Sequence, residues 1–367
     1  DAYGVVVSGD YAFVANETAG LRVVSVSDPT NPQEVGYYET PGSAYDVAVS
    51  GDYAYVADDE GGLRVVSLSD PTNPQEVGYY DTPGCAWGAA VSGDYAYVAD
   101  RHSGLRIVSV SDPTNPQEVG YYDTPGWACD VAVSGDYAYV ADGASGLRVI
   151  SISDPTNPQE VGYYDTPDFA CGVAVSGDYA YVADHGSGLR VISVSDPTNP
   201  QEVGYYETPG WACDVTVSGN YAYVADDGSG LRVVSVSDPT NPQEVGYYNT
   251  PGWAWGVAVS GDYPLVADDD AGLRVIEFYG TGIEERLQPT ANRSRLTATI
   301  VRNVLRWNKT EDRGPKTEDR AQAFLVDATG RKVFEVKPGE NDIRHLAPGV
   351  YFIRDVLGTE RKVVITK

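Results

Sequence analysis

The decapeptide Val49-Ser50-Gly51-Asp52-Tyr53-Ala54-Tyr55-Val56-Ala57-Asp58 decides the fold of this chain, because close copies of it return at a constant spacing. The glycine of its Gly-Asp-Tyr or Gly-Asn-Tyr core recurs every 42 residues, at Gly9, Gly51, Gly93, Gly135, Gly177, Gly219 and Gly261. Apolar runs flank each glycine, which supplies the positive φ of a hairpin turn. A period near 40 residues with four β-type runs is typical of propeller blades, so the sequence predicts an all-β, seven-bladed β-propeller.

The second copy shows how one blade is built. Residues 44–49 and Tyr53–Ala57 predict the first two strands, joined by a tight turn. Residues 63–69 and 76–80 predict the third and fourth strands, joined by a stiff Asp-Pro-Thr-Asn-Pro turn. The third run is apolar at successive positions, as expected for a strand buried on both faces between neighbouring blades.

The seventh copy stops after Glu277-Phe278-Tyr279, without the turn and the fourth strand of the other copies. The chain begins at Asp1 and contains no methionine, so we expect the native start to lie upstream. A strand immediately upstream is therefore the expected donor that completes blade seven, and residues 283–290 are the alternative donor. An unpaired edge there would favour aggregation.

Charge divides the chain into two parts. Residues 1–280 contain 41 acidic residues, eight arginines and no lysine, whereas residues 281–367 contain 17 basic and 12 acidic residues. We predict a propeller at 1–280, a linker at 281–290 and a C-terminal domain at 291–367. The acidic propeller would repel phosphate backbones, so no nucleic acid is expected as partner, and no apolar run is long enough for a transmembrane segment.

The repeated runs resemble a known family. Gly-Leu-Arg-Val-Val-Ser-Val-Ser-Asp-Pro-Thr-Asn-Pro and Val-Ser-Gly-Asp-Tyr-Ala-Tyr-Val-Ala-Asp occur with small changes in the copies and resemble the LVIVD repeat family of bacterial and archaeal surface proteins. The resemblance implies a β-propeller on a secreted or surface-attached protein. It implies no particular activity, because the family has no established common one.

The C-terminal part resembles a second family. Its runs Leu325-Val326-Asp327-Ala328-Thr329-Gly330-Arg331, Leu346-Ala347-Pro348-Gly349-Val350-Tyr351 and Lys362-Val363-Val364 are similar to the type A sorting domain of type IX secretion. From the residues alone, alternating runs with tight turns at Gly330 and Gly349 predict a small immunoglobulin-like β-sandwich. The resemblance implies export by the type IX secretion machinery, to the extracellular space or the outer-membrane surface. Its sorting motif would comprise Gly330, Arg331, Gly349, Tyr351 and Lys362.

The copies differ mainly on one face of the predicted disc, which we call the top face. The turns between first and second strands and between third and fourth strands lie on the opposite, bottom face and are nearly constant. The loops between second and third strands vary, and so do two positions before the first strand. These positions form a first ring (Asp1, Ser43, Cys85, Trp127, Phe169, Trp211, Trp253) and a second ring (Tyr3, Tyr45, Trp87, Cys129, Cys171, Cys213, Trp255).

Five of the six tryptophans belong to these two rings. Rigid aromatic surface beside polar groups is typical of binding surfaces, because it provides contact area at little entropic cost. We predict that the top face binds an unidentified glycan, peptide or protein through Tyr45, Trp87, Trp127, Phe169, Trp211, Trp253, Trp255, Asp46, Asp130, Asp214, His102 and His185. The alternative is that the aromatic rings only pack the ends of the inner strands.

The position after the second ring alternates between glycine and aspartate, with Asp46, Asp130 and Asp214 on every second blade. Calcium needs oxygen ligands closer together than alternate blades allow, so we expect no cofactor and assign these carboxylates to capping or to hydrogen bonds with neighbouring strands. A bound cation is the alternative. The four cysteines lack the spacing of a zinc site, and we expect free thiols, with a disulfide between adjacent blades as the alternative.

The propeller carries few groups suited to catalysis. Its only histidines are His102 and His185, on the top loops of blades three and five, and no nucleophile, phosphate-loop or metalloprotease motif occurs. We therefore expect a secreted or surface-bound binding or adhesion module that is not an enzyme. The alternatives are a polysaccharide-active lyase or hydrolase using His102, His185 and the neighbouring Asp184, and a purely structural surface repeat.

Overall fold

The computed structural model describes residues 1–278 in full and the backbone of eight further strands between residues 283 and 365. The chain divides into two compact units, Asp1–Arg286 and Leu287–Lys367. Strands and turns make up the described part of the first unit. No helix long and apolar enough to cross a membrane occurs in the described part of the chain.

The first unit is a ring of seven antiparallel sheets, the blades, in which chain order is also the order from the centre outwards. Six blades have four strands: blade 1, β1 (Gly4–Ser8), β2 (Tyr11–Ala15), β3 (Leu21–Ser25), β4 (Gln33–Tyr38); blade 2, β5 (Asp46–Ser50), β6 (Tyr53–Ala57), β7 (Leu63–Ser67), β8 (Gln75–Tyr80); blade 3, β9 (Gly88–Ser92), β10 (Tyr95–Ala99), β11 (Leu105–Ser109), β12 (Gln117–Tyr122); blade 4, β13 (Asp130–Ser134), β14 (Tyr137–Ala141), β15 (Leu147–Ser151), β16 (Gln159–Tyr164); blade 5, β17 (Gly172–Ser176), β18 (Tyr179–Ala183), β19 (Leu189–Ser193), β20 (Gln201–Tyr206); and blade 6, β21 (Asp214–Ser218), β22 (Tyr221–Ala225), β23 (Leu231–Ser235), β24 (Gln243–Tyr248). Blade 7 contains β25 (Gly256–Ser260), β26 (Tyr263–Ala267) and β27 (Leu273–Val275). The predicted seven-bladed propeller is confirmed.

The third strand of blade 2 is two residues shorter than predicted. Its pairing ends at Ser67, because the next amide, that of Leu68, donates to the carbonyl of Asp52 at 2.7 Å instead of to the fourth strand. The turn that follows is stiffened by Asp70, whose carboxylate accepts from the amide of Thr72 at 3.0 Å and from its hydroxyl at 2.6 Å. This local side-chain capping explains the constancy of the bottom turns.

Hydrophobic clusters lie between neighbouring blades rather than within one blade. Between blades 1 and 2, the side chains of Phe13, Leu21 and Val23 pack against Val56 and Val66, and all five are almost fully buried. Burying such side chains stabilises the fold by about 1.5–3 kcal/mol each. The third strands are therefore apolar at successive positions because each of their faces contacts a different blade.

The last blade packs against the first. Leu265 and Ala267 of blade 7 share one cluster with Ala2, Val5 and Val14 of blade 1. The ring is thus closed by side-chain packing between the first and last copies.

Blade 7 gains a short outer strand from the C-terminal side. After Ile276, whose amide donates to the carbonyl of Pro264 at 2.9 Å, β28 (Glu277–Phe278) pairs antiparallel with β29 (Ile283–Glu284). The strand that pairs with this edge lies within residues 283–290, the alternative donor, and within the predicted linker. The expected donor upstream of Asp1 stays a prediction.

In blades 2–7, a buried aspartate pairs with an arginine of the third strand. The fully buried Asp58 accepts from the amide of Gly42 at 2.8 Å, which ties blade 2 to the segment arriving from blade 1. Its Oδ2 lies 3.6 Å from Nε of Arg64, whose Nη2 pairs with Asp81 at 3.1 Å. The guanidinium also stacks 4.7 Å from the ring centre of Tyr79. Ion pairs between the residues equivalent to Asp58 and Arg64 recur in blades 2–7.

Removing the buried carboxylate should destabilise the ring. In blade 4, Asp142 accepts from the Thr124 hydroxyl at 2.5 Å and from the Gly126 amide at 2.8 Å and lies 3.8 Å from Arg148. Asp142→Ala leaves these groups buried without their acceptor and should lower the free energy of unfolding by about 3 kcal/mol. Asp142→Asn should cost only about 1 kcal/mol, because Asn16 fills the equivalent place in blade 1.

Urea unfolding of both variants measures these costs. Asp136→Ala, at an exposed bottom turn, is the matched control and should change the unfolding free energy by less than about 0.5 kcal/mol. Equal effects of Asp142→Ala and Asp136→Ala would contradict the role of the buried carboxylate.

The described residues of the second unit form two antiparallel sheets, with strand orders β30-β31-β34 and β33-β32-β35-β36. Its strands are β30 (Leu296–Val301), β31 (Val304–Lys309), β32 (Ala323–Asp327), β33 (Lys332–Val336), β34 (Gly339–Asp342), β35 (Gly349–Asp355) and β36 (Glu360–Ile365). Tyr351 lies in β35 and Lys362 in β36. Gly349 pairs with Ile365 at the start of β35. The residues just before it lie outside the described part of the chain, so the tight turn at Gly349 stays a prediction. Gly330 and Arg331 lie outside the described residues.

Candidate functional site

Two backbone hydrogen bonds tie each blade to the next on the top face. Between blades 2 and 3, the amide of Asp59 donates to the carbonyl of Ala86, and the amide of Ala86 donates back, both at 3.0 Å. We call the seven loop residues in this position the latch residues: Glu17, Asp59, Arg101, Gly143, His185, Asp227 and Asp269. The pair between Asp269 and Ala2, at 3.1 and 3.3 Å, joins blade 7 to blade 1 in the same way.

The latch residues have left-handed backbone conformations, with φ between 43° and 55°. A non-glycine residue in this region costs about 1–2 kcal/mol, although aspartate and histidine tolerate it better than glutamate or arginine do. Only one of the seven, Gly143, is a glycine. The chain therefore keeps six variable side chains on the top face at positions where glycine would be less strained, which points to a use for them.

Substitutions at two latch residues should have opposite effects. Glu17→Gly removes the strain of a φ of 43° and should raise the free energy of unfolding by up to about 1 kcal/mol. Gly143→Ala should lower it by more than about 1 kcal/mol, because the new Cβ would lie 2.8 Å from the ring of Phe169. Thermal unfolding of the two variants measures both signs. A loss of stability in Glu17→Gly similar to that in Gly143→Ala would contradict the strain.

Each blade has an aromatic residue in at least one of the two rings of the top face. Blades 1–3 carry an aromatic residue in the second ring only, blades 4–6 carry one in the first ring only, and blade 7 carries both: Tyr3, Tyr45, Trp87, then Trp127, Phe169, Trp211, then Trp253 and Trp255. Every blade thus contributes an aromatic side chain. Trp127, Trp211 and Trp253 are 40%, 54% and 55% exposed, whereas the second-ring aromatics are half-buried.

Four blades share a continuous set of ring contacts, which we call the aromatic arc. Trp253 meets Trp255 edge-on at 6.4 Å between ring centres, and Trp255 stacks on Tyr3 at 5.4 Å. Tyr3 contacts Tyr45 at 5.1 Å, and Tyr45 contacts Trp87 at 5.5 Å. The second-ring aromatics therefore pack against one another, as the packing alternative predicts, while the first-ring tryptophans present exposed surface.

A guanidinium fills the gap at the end of the arc. The Cζ atom of Arg101 lies 4.0 Å from the ring centre of Trp87 in its own blade and 4.8 Å from that of Trp127 in the next. Its Nε is buried and has no hydrogen-bond partner in the described part of the chain. Such stacking contributes about 0.5–2 kcal/mol. The spacing of top-face rings thus accommodates a planar cation.

The two histidines lie against tryptophans in different blades. His102 meets Trp127 edge-on at 4.8 Å, and His185 stacks on Trp211 at 4.5 Å. Asp184, the carboxylate expected to assist His185 in the enzymatic alternative, is fully buried and lies 3.6 Å from Arg190. The blade scaffold therefore engages the carboxylate of Asp184.

The carboxylate near His185 belongs to Asp168, a residue that we did not predict from the sequence. Oδ2 of Asp168 accepts from the amide of Gly186 at 3.1 Å and lies 3.8 Å from Nδ1 of His185. The other five copies of this linker have glycine at the equivalent position. Two features of the sequence could have indicated this contact. Asp168 replaces a repeated glycine, and the latch residue of the same blade is a histidine.

Asp46, Asp130 and Asp214 each clamp two blades together. Oδ2 of Asp46 accepts from the amide of Ala89 in blade 3 at 2.9 Å. Oδ1 of Asp130 accepts from the next amide of its own strand at 2.7 Å, and Oδ2 accepts from Val173 of blade 5 at 2.8 Å. Asp214 repeats this pattern between blades 6 and 7. The predicted hydrogen bonds to neighbouring strands are confirmed.

Glycine alternates with these aspartates because the inner strands approach closely. A Cβ on Gly4 would lie 2.8 Å from both Cα and Oδ1 of Asp46, and a Cβ on Gly88 would lie 2.8 Å from Cα of Asp130. A side chain at either glycine would collide with the aspartate of the next blade. Each clamp thus needs a glycine on the preceding blade.

Burial raises the pKa of all three clamp carboxylates. Desolvation is the main cause, and the like charges of Asp46 and Asp214 raise the pKa of Asp130 further. Desolvation raises the pKa of Asp214 to about 6, against the hydrogen bond from Val257. Because the folded state holds these protons more tightly than the unfolded chain does, their ionisation opposes folding.

The stability of the ring should therefore depend on pH through Asp214. As pH rises from about 4, the unfolded pKa, to about 6, the folded pKa, ionisation of Asp214 should lower the free energy of unfolding. Asp214→Asn should remove this part of the slope, since the amide does not titrate. Urea unfolding at intervals from pH 4 to 7 measures the difference between variant and parent. A difference that is constant over this range would contradict the raised pKa.

The four cysteines carry free thiols. Cys129 and Cys213 point their sulfurs at the carbonyls of Trp127 and Trp211, 3.2 and 3.3 Å away. Desolvation raises the pKa of Cys171 to about 12. These thiols are thus protonated near neutral pH and poorly suited to act as nucleophiles or metal ligands.

Two concave spaces lie on the circumference, away from the top-face rings. One, of about 590 Å³, lies between Glu202–Glu207 and Thr240–Gln243, and another, of about 560 Å³, lies at the equivalent place between blades 3 and 4. Both are lined by the repeated outer strand and the repeated bottom turn. They therefore follow from the repeat itself and not from the differences between copies.

The repeats define the family of the chain. The LVIVD repeat family matches residues 1–40, 41–82, 83–124, 125–166, 169–208, 209–250 and 251–277. These segments cover well over half of the sequence, and the chain belongs to the LVIVD repeat family. The match skips residues 167–168, where Asp168 replaces the usual glycine. No curated protein matches the sequence.

Several solved structures share the propeller fold. The computationally designed Ika8 protein has a TM-score of 0.60 at 10% identity, covering 83% of this chain and 92% of that chain. U3-55K has a TM-score of 0.60 at 13% identity, with coverages of 79% and 90%. The WD40 repeats of RRP9 have a TM-score of 0.61 at 15% identity, with coverages of 79% and 89%. At such identities the likeness concerns the fold alone.

Proposed function

We propose that this protein is a secreted or surface-displayed propeller that acts as a non-catalytic binding or adhesion module through its top face. The observation that carries the proposal is the exposure of Trp127, Trp211 and Trp253 on the face where the copies differ. Exposed tryptophans are enriched among the residues that dominate binding interfaces. The ligand belongs to the glycans, peptides or proteins.

The exposed tyrosines of the circumference provide a useful contrast. Tyr121 is 54% exposed, but Arg106 covers one face of its ring at 4.6 Å, and the same pair recurs in six blades. These tyrosines belong to the repeated scaffold. The exposed tryptophans differ from blade to blade, which is what recognition of one particular ligand requires.

Export by the type IX secretion machinery is the second part of the proposal. It is supported by the resemblance of residues 325–364 to the type A sorting domain and by the two antiparallel sheets of the second unit. In this proposal those sheets form an immunoglobulin-like sandwich and Gly330, Arg331, Gly349, Tyr351 and Lys362 belong to the sorting motif. The acidic propeller would then reach the extracellular space or the outer-membrane surface.

Absence of catalysis is the third part. His102 and His185 lie in blades 3 and 5, each packed on a tryptophan, and Asp184 is buried in the scaffold. Acid-base chemistry needs groups that converge on one substrate atom. Such separated side chains are better suited to ligand contact.

Glycan and peptide arrays probed with the full chain test the binding proposal. Trp127→Ala, Trp211→Ala and Trp253→Ala should each weaken a retained ligand by at least about tenfold, because truncating an anchor tryptophan commonly costs 2 kcal/mol or more. Tyr121→Ala, which removes an equally exposed ring from the circumference, is the matched control and should leave binding unchanged.

Three outcomes would contradict this proposal. A ligand lost in Tyr121→Ala but kept in the tryptophan variants would place binding on the circumference. No ligand on any array would favour a purely structural repeat. Polysaccharide turnover that His102→Ala or His185→Ala abolishes would show an enzyme.

A further inference from the structure

The latch residues divide the top face into two electrostatic sectors. Blades 6, 7, 1 and 2 carry carboxylates at this position, in Asp227, Asp269, Glu17 and Asp59. Blades 3, 4 and 5 carry Arg101, Gly143 and His185. The carboxylates are thus consecutive around the ring, and their backbones are fixed by the inter-blade hydrogen bonds.

The acidic sector overlaps the aromatic arc in blades 7, 1 and 2. Burial, followed by the negative charges of Glu17 and Asp269, raises the pKa of Tyr3. Burial and then the charges of Asp59 and Glu17 raise the pKa of Tyr45, against the positive charge of Arg101. Glu17, Asp59 and Asp269 are therefore within electrostatic reach of these two aromatic rings. The faces of aromatic rings also favour positive charge.

Arg101 shows that a guanidinium can stack on a second-ring aromatic residue at the latch position. In blade 3 the latch residue is itself a cation, and it stacks on Trp87, the second-ring residue of its own blade. In blades 7 and 1 the latch residues beside Trp255 and Tyr3 are carboxylates instead. Among the described residues, Arg101 provides the cation-ring contacts of the top face. The aromatic arc thus has the rings and the carboxylates of a cation site, whereas blade 3 supplies its own cation.

Negative charges are crowded at the junction of blades 7 and 1, which favours the binding of a cation there. Carboxylate oxygens of Asp1, Asp269 and Asp270 lie within 4.8 Å of one another. Trp253, 55% exposed, stands beside Gly228 of the loop that contains Asp227. A cation that stacks there would relieve the repulsion between the carboxylates and cover exposed indole surface.

We propose that the acidic sector and the aromatic arc bind arginine side chains of a basic peptide or protein segment. This inference rests on the function proposed above, because it names the ligand class of the same face. Arginine is favoured over lysine, since a planar guanidinium can stack on a ring and pair with a carboxylate through two hydrogen bonds. The net charge of −28 would also steer a basic partner towards the propeller.

Binding of labelled hexa-arginine, hexa-lysine and spermine to the full chain, followed by fluorescence anisotropy at physiological salt, tests the inference. Hexa-arginine should bind most tightly. The variant Glu17→Gln/Asp59→Asn/Asp269→Asn should weaken hexa-arginine by about tenfold, since each surface charge pair contributes a few tenths to one kcal/mol. These substitutions keep the size and the hydrogen-bonding capacity of the latch side chains.

The control variant Asp52→Asn/Asp94→Asn/Asp136→Asn removes the same number of charges from exposed bottom turns. Asparagine already occupies this position in blade 6 as Asn220, so the fold accepts it. This variant should change hexa-arginine affinity by less than about twofold. Circular dichroism and thermal unfolding of both variants establish that each is folded.

The possible results separate the inference from the proposed function. Equal weakening in the two variants would overturn the inference, because the attraction would then come from net charge alone. Equal affinity for hexa-arginine, hexa-lysine and spermine would overturn the preference for arginine. A glycan that depends on the first-ring tryptophans, with no binding of hexa-arginine, would overturn the inference and leave the proposed function intact. No ligand in either experiment would overturn both.

Discussion

The pair of backbone hydrogen bonds between adjacent blades is the contact on which both the ring and its top face depend. It joins each loop to the start of the next inner strand, from Glu17 and Ala44 to Asp269 and Ala2. Because main-chain atoms make these bonds, the side chain at the latch position is free to change. A rigid scaffold that carries variable side chains is the usual arrangement in binding proteins.

The acidic residues of the propeller have distinct physical roles. Those at the position of Asp58 are buried with arginine, those at the position of Asp70 cap the bottom turns, and those at the position of Asp130 clamp neighbouring blades. Each of these carboxylates is neutralised or hydrogen-bonded within the fold. The latch carboxylates differ from them, since they lie beside aromatic rings on the solvent side. Composition alone cannot distinguish these groups, although their positions in the repeat can.

The repeat predicted the fold well because each blade is local in sequence. The strands, the constant bottom face and the variable top face all follow from one 42-residue period. Side-chain contacts between blades were harder to predict, because secondary-structure propensity says nothing about which distant residues meet. The approach of Asp168 to His185 and the sandwich of Arg101 between Trp87 and Trp127 belong to this class. The pairing of Ile283–Glu284 with blade 7 was only the alternative prediction, because two residues carry too little pattern to predict a strand.

The clamp aspartates impose a parity rule on the ring. Each needs a glycine on the preceding blade, so the pattern repeats every two blades, yet the ring has seven. An odd ring cannot alternate without one defect, and here the defect is the neighbouring pair Gly256 and Gly4, where the chain passes from its last blade to its first. Gain or loss of a single interior copy would place two aspartates or two further glycines side by side. Expansion or contraction of this gene by whole 84-residue, two-blade steps would preserve every clamp.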